Sequence, residues 1–243
     1  VIKNQVHLGD CLDIMKFIPD KSVDMVLCDL PYGVTRNKWD SVIPLPELWI
    51  QYNRIVKENG VLCLTGMGLF TAQLQLSNPK NFKYKICWIK NETGNFLNAN
   101  KMPLRKHEDI CIFYKAKPTY NPIFSEGKPY KALQKADRLG SNYSFLNNDI
   151  MREYEGKRFP SDVITFGRPT AKEKTHGKHP TQKPLALGQY LVKTYTNLGD
   201  VVLDNTCGVG SFLVAAKMEG RQYIGIEMNA EYHSIALKRL DEL

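Results

Sequence analysis

Residues 201–227 read VVLDNTCGVGSFLVAAKMEGRQYIGIE, and no other stretch constrains the fold of this chain so tightly. An apolar run ends in an acid, Asp204, and passes through a glycine pair into a helix-forming segment. A second apolar run then ends in another acid, Glu227. Short apolar runs bounded by turn residues read as buried strands. Strands and helices alternate here and again near the N-terminus, which implies an α/β fold with a largely parallel sheet.

Gly208 and Gly210 stand where a strand hands over to a helix. Glycine there lets the backbone turn tightly and lets a ligand approach with no Cβ in the way. Nineteen residues after Gly208, Glu227 ends the next strand. An acid at that position can accept hydrogen bonds from both ribose hydroxyls of an adenosine-containing cofactor. Leu213 replaces the third glycine of the dinucleotide fingerprint, and no Lys-Ser or Lys-Thr pair follows the loop. The pattern therefore suits a nucleoside without a pyrophosphate better than NAD or ATP. S-adenosyl-L-methionine is the candidate.

Elsewhere, VDMVLCD reads as a buried strand and PLPELWIQYNRIVKENG as a helix closed by Gly60. VLCLTG is a further strand, and LFTAQLQL a short helix. YKICWIK and DICIFYK are strands flanking a loop, NETGNFLNANKMPLRKHE, and PLALGQYLVKTYTNLG is a helix with Gly199 as its stop. Three parts follow: 1–117, an inserted region at 118–178, and 179–243. The insert is rich in Pro, Gly, Asn and Lys with interspersed aromatics. It is expected to have little regular structure and at least partial packing.

With 243 residues, 43% of them hydrophobic, the chain can bury the core of one domain with a sizeable insertion. The net charge of +8 is unevenly placed. Between Lys80 and Lys178 there are 20 Lys and Arg against 10 Asp and Glu, whereas the remainder has 13 against 15. Such segregation points to a polyanion partner, whose phosphates exchange counterions for basic side chains. No stretch approaches the ~18 consecutive apolar residues of a membrane span. The start, VIKNQVHLGD, lacks the apolar core of a signal peptide, so a cytoplasmic location is expected. The six cysteines, at 11, 28, 63, 87, 111 and 207, form no C-x-x-C pair or zinc spacing. Buried reduced thiols and no metal are expected.

The strand VDMVLC is followed by DLPYG, residues 29–33. A turn has use for Pro31 and Gly33, but not for Asp29 and Tyr32. DLPY, together with LDNTCGVGS, resembles the amino-group DNA methyltransferases, which methylate N6 of adenine or N4 of cytosine. HPTQKP at 179–184, GDCLDIM at 9–15 and HEDICIFYK also fit that family. The resemblance covers about 1–117 and 176–243. The tetrapeptide comes first and the glycine loop last, with the basic region between them, as in the family's permuted β group. It implies a Rossmann-like methyltransferase fold with an inserted target-recognition region.

The resemblance further implies that Asp29 and the carbonyl of Leu30 accept the two N–H bonds of the target amino group, so that its lone pair faces the methyl group. Pro31 stiffens the turn. Tyr32 stacks on a base flipped from the duplex, an extrusion costing a few kcal/mol that stacking partly offsets. Leu30 stands where the family usually has proline, and Asn205 where it often does.

For the cofactor, the resemblance places Asp10 and Cys11 near the adenine, and Asp204 and Ser211 near the methionine end, with Asn205 a further cofactor-binding residue. His179, Thr181, Gln182 and Lys183 fall near its carboxylate, and Gly208, Gly210, Glu227 and Met228 complete the site. Asp204 could equally be a strand-end helix cap. Residues 35–40, TRNKWD, have the composition of a lid, with Trp39 either part of it or part of the core. Arg36, Lys38, Arg105, Lys128, Lys131, Arg138 and Arg158 are the basic residues expected on double-stranded DNA.

C5-cytosine methylation is set aside, because that chemistry uses a nucleophilic cysteine that usually follows proline, and no cysteine here does. N4-cytosine methylation stays open beside N6-adenine. So does a non-catalytic DNA-binding protein with a residual cofactor site, which cofactor-dependent thermal stabilisation would help to separate. A homodimer and a cognate restriction endonuclease are left open as partners.

Overall fold

The computed structural model describes residues 3–33, 41–134, 149–170, 173 and 182–243. Along the chain run β1 (Gln5–Leu8), α1 (Cys11–Met15), β2 (Val23–Cys28), α2 (Leu45–Ile55), β3 (Val56–Gly66), α3 (Leu69–Ser77), β4 (Phe82–Gly94) and β5 (Arg105–Tyr114). Four short strands follow: β6 (Ser125–Glu126), β7 (Tyr130–Gln134), β8 (Ile150–Tyr154) and β9 (Lys157–Arg158). The chain closes with β10 (Val163–Thr165), α4 (Leu185–Tyr195), β11 (Val201–Asp204), α5 (Ser211–Met218), β12 (Gln222–Glu227) and α6 (Ala230–Asp241).

Eight strands form one sheet in the order β1-β12-β11-β2-β3-β5-β4-β10. From β1 to β3 all neighbours are parallel, and β5 runs antiparallel between β3 and β4. The pleat divides β2 between two cores: Met25 and Leu27 face one, Val26 and Cys28 the other. Leu187 and Leu191 of α4, Phe212 and Leu213 of α5, and Ala236 of α6 cover the first face. Met15 of α1, Leu48 and Tyr52 of α2, and Leu74 of α3 cover the second. The crossovers leaving β11 and β2 therefore run over opposite faces. Between the carboxyl ends of these adjacent strands lies the switch point where open α/β sheets bind ligands.

Gly60 does not close a helix. The last carbonyls of α2 are taken by the N–H groups of Lys21 and Ser22, which bond Arg54 and Ile55 at 2.9 Å each, and Val56 is already extended. Gly60 instead sits within β3, beside a register shift against β2. A Cβ there would meet Val56 Cγ1 at 2.5 Å and the Asp24 carbonyl at 3.0 Å.

Residues 122–161 form a compact unit of their own, and residues from 162 onward return to the main sheet through β10, parallel to β4. The unit has more regular structure than its composition suggests: two antiparallel ladders, β6 with β9 and β7 with β8. Aromatic pairs fasten it, with Tyr130 stacked on Tyr154 at 4.6 Å and Phe124 edge-on to Phe159 at 4.8 Å. The positive charge is not concentrated there. Residues 122–161 hold 7 Lys and Arg against 5 acids, while 80–121 hold 9 against 3. The excess lies mainly on β4, β5 and their connections. All six cysteines are free thiols, five of them buried.

Candidate active site

A cleft of about 760 Å³ opens at the carboxyl ends of β1, β2, β11 and β12. Asp10, Asp29–Tyr32, Asp204–Gly208 and Glu227–Met228 line it, along with Trp88 and Lys90 of β4, Glu108 of β5, and Gln182 and Lys183 before α4. Motifs from both ends of the sequence thus open into one space.

At the end built by β11 and β12, the turn into α5 is a glycine structure. Gly208 has φ +53° and Gly210 φ +76°, and a Cβ on Gly210 would also crowd Ala236 at 3.1 Å. The Gly208 N–H donates to Glu227 Oε2, and the Asn229 N–H to Oε1, both at 2.8 Å. Asp204 is not a helix cap: Gly210 holds that place. The buried Asp204 carboxylate accepts the Thr206 N–H at 3.3 Å, and burial pushes its carboxyl up to about 8. Burial also raises Glu227. Neither acid forms an ion pair among the described residues.

Asn205 accepts the Tyr52 hydroxyl at 2.6 Å, leaving its buried amide nitrogen unpartnered among the described residues. Asp10 caps α1, accepting the Leu12 N–H at 2.7 Å, and Cys11 is buried behind it. Ser211 opens α5 and accepts Arg239 at 3.2 Å. Met228 is exposed at the rim.

The other end is organised around Asp29. Its Oδ2 accepts Lys183 Nζ at 2.7 Å, and its Oδ1 accepts the Thr65 hydroxyl. The Tyr32 hydroxyl lies 2.7 Å from both Thr65 Oγ1 and Asp29 Oδ1. The Tyr32 ring stacks on Phe70 at 5.1 Å. Burial first, then the negative charges of Asp29 and Glu108, drive its phenol well up, so it remains a donor. Thr206 ties the Asp29 carbonyl to the cofactor turn at 3.0 Å, and Leu30 is buried beneath.

Lys183 is buried and bridges Asp29 to Glu108 Oε2 at 3.2 Å. Lys90 bonds the other Glu108 oxygen. Burial alone would lower Lys183 and raise Glu108, but the paired charges outweigh it in both. Lys183 is held above the ordinary lysine value and Glu108 below the usual carboxylate range. Lys183, expected at the cofactor's carboxylate, is thus committed to Asp29. Gln182 donates instead to the Glu173 carbonyl at 2.7 Å.

Thr65, Lys90 and Glu108 escaped the sequence reading. Only Glu108 left a signal there, an acid set against the apolar run DICIF. Arg105 is exposed and its guanidinium lies 2.8 Å from the sulfur of Met67, a cleft residue. In the separate unit, Lys131 pairs with Glu153, the Lys128 carbonyl accepts Arg158 at 2.6 Å, and Arg158 lies 4.6 Å over the Tyr130 ring. Arg36, Lys38, Trp39, Arg138, His179 and Thr181 lie outside the described residues.

The sheet order, with an acid-lined cleft at its switch point, defines a Rossmann-like methyltransferase fold. The DNA methylase family of N6 and N4 methyltransferases matches residues 23–238, and the chain belongs to that family. Type II methyltransferase M2.MboI of Moraxella bovis is 27% identical, with 98% of this chain and 88% of that protein covered. DNA adenine methyltransferase YhdJ of Escherichia coli K12 is 29% identical, covering 98% and 83%. The crystal structure of the M1.HpyAVI–SAM complex superposes with a TM-score of 0.67 at 25% identity over 98% of both chains. The cytosine-N4-specific PvuII DNA methyltransferase shares the fold, with a TM-score of 0.65 at 15% identity over 96% and 85%.

Proposed function

We propose that this protein transfers a methyl group from S-adenosyl-L-methionine to N6 of an adenine flipped out of double-stranded DNA. The observation that carries the reading is the opening of Asp29 and of the turn at Gly208 and Val209 into one cleft. The residues fit the cofactor. The glycine turn leaves room for close approach, the cleft volume suits a nucleoside-sized ligand, and the unpaired Asp204 and Glu227 favour a ligand carrying positive charge and hydroxyl donors. Glu227 would take the ribose, and Asp204 and Asn205 the methionine side. When bound, the cofactor supplies an electrophilic methyl group on a sulfonium that departs as a neutral thioether.

An exocyclic amino nitrogen is a weak nucleophile because its lone pair is delocalised into the ring. In this reading Asp29 and the Leu30 carbonyl accept its two N–H bonds. The nitrogen then becomes pyramidal with its lone pair aimed at the methyl carbon, and the carboxylate stabilises the developing positive charge. Lys183 and Thr65 hold the carboxylate in place beforehand. Tyr32, fixed through its hydroxyl, would stack on the extruded base.

A cognate restriction endonuclease and a cytoplasmic setting go with this reading, since M2.MboI is named a Type II methyltransferase. Among the described residues no helix is long and apolar enough to cross a membrane. The test is expression in a methylation-deficient host, followed by sequencing with modified-base detection. N6-methyladenine at one recurring site is expected. N4-methylcytosine would move the chemistry to cytosine, and unmodified DNA would overturn the assignment.

A further inference from the structure

The connection between β4 and β5 extends from the catalytic end of the cleft. Lys90 and Glu108 line that end, and Phe96 is six residues beyond Lys90, within about 20 Å along an extended strand. The connection is braced from inside. Asn95 adopts φ +69° and its side-chain oxygen accepts the Asn98 amide at 2.7 Å. The Asn98 carbonyl accepts the N–H groups of Lys101 and Met102 at 2.9 and 3.0 Å.

This bracing holds a 3₁₀ turn, Phe96–Asn98, that puts two large apolar side chains into solvent. Phe96 is 63% exposed and Leu97 98%. Their exposure contributes nothing to the fold. The surroundings are cationic: residues 95–106 contain Lys101, Arg105 and Lys106 and no acid. Nearby Glu92 is already paired with Arg168 at 2.8 Å. Arg105, through Met67, stands at the cleft rim.

We propose that the Phe96–Leu97 turn is a wedge that enters the duplex beside the extruded base. Its apolar side chains replace the stacking contacts the base gives up, while Lys101, Arg105 and Lys106 hold the flanking phosphates. Apolar wedges between base steps, set among phosphate-binding cations, are a general way to stabilise unstacked DNA. A second copy of this chain would be a poorer occupant, because the three cations would then face the like charges of the same loop.

The proposal rests on the methyl-transfer reading, and the parent protein keeps the two separable. Matched duplexes carrying the recognised site are prepared with the target adenine intact for methylation and with 2-aminopurine in its place for fluorescence alone, and a further set places the target adenine opposite a mismatch. For F96A/L97A, with melting temperature and cofactor binding like the parent's, base-extrusion fluorescence should fall several-fold. Methylation of matched duplex should fall about 10- to 100-fold, in line with the loss of one stacked base. Mismatched duplex, whose target is already unpaired, should recover most of the rate. L97M should behave as the parent.

Undiminished extrusion by F96A/L97A would overturn the wedge while leaving methyl transfer intact. So would equal losses on matched and mismatched DNA, or a change of oligomeric state in place of a change in extrusion. A parent protein that modifies neither duplex would overturn both readings.

Discussion

The two ends of the cleft treat their acids in opposite ways. At the catalytic end every carboxylate has a lysine: Asp29 takes Lys183, and Glu108 takes Lys183 and Lys90. At the cofactor end Asp204 and Glu227 have no cationic partner among the described residues; backbone N–H groups and, for Asp204, the Cys28 thiol meet them, and burial raises both. A paired carboxylate is fixed before substrate arrives, which suits the directed N–H acceptor proposed for Asp29. A buried, unpaired carboxylate is costly until something cationic joins it. The protein neutralises the first end itself, and in the proposed function the second is left for the cofactor to neutralise.

The sharpest test removes the paired acid. Asp29→Ala should lower methyl transfer about 1,000-fold or more while cofactor affinity measured by calorimetry stays near normal. Simultaneous loss of both would mean that the two ends are not separate. Lys183→Met comes next. Breaking a buried pair costs about 3–5 kcal/mol, read by urea unfolding, and the misplaced carboxylate should slow transfer about 100-fold. Adding Asp29→Asn should return part of the stability, since the charge stranded by the loss of Lys183 is gone, but not the rate.

At the other end the comparison is broken by pH. Asp204, near 8 when folded against 3.8 as its ordinary value, stabilises the ligand-free fold most below pH ~4, and loses that contribution as pH rises through about 8. A cationic ligand at pH 7 should therefore expel about one proton, read by calorimetry in buffers of different ionisation enthalpy. Asp204→Asn should abolish that release; an unchanged release would place the linkage elsewhere. The smallest effect is expected from Gly210→Ala, about 1–2 kcal/mol for a side chain at positive φ, with weakened cofactor binding.

How much of this was legible follows the same division. The cofactor end is nearly contiguous in sequence, so Gly208, Gly210 and Glu227 could be picked out by spacing, whereas Asp204 was singled out only by the resemblance. Asp29 and Tyr32 were visible because a turn has no use for them. Their supports were not. Thr65 is 36 residues away and Lys183 154, on elements that only the sheet order brings together. A lysine in a linear motif carries no record of which carboxylate it will meet, so the pairing of Lys183 with Asp29 could not be read from HPTQKP. Likewise, Gly60 looked like a helix stop in sequence, whereas the hydrogen bonds that end α2 come from Lys21 and Ser22.

In the sheet β2 lies between β11 and β3, and among the described residues β1 pairs only with β12. During synthesis on the ribosome, Cys28 emerges long before Asp204. At about 5–20 residues per second, β2 waits roughly 9–35 s for that partner. For that interval the nascent chain displays an open strand edge that is apolar but for Asp24, so its yield in a cell should depend on chaperone supply and growth temperature more than its final stability would suggest.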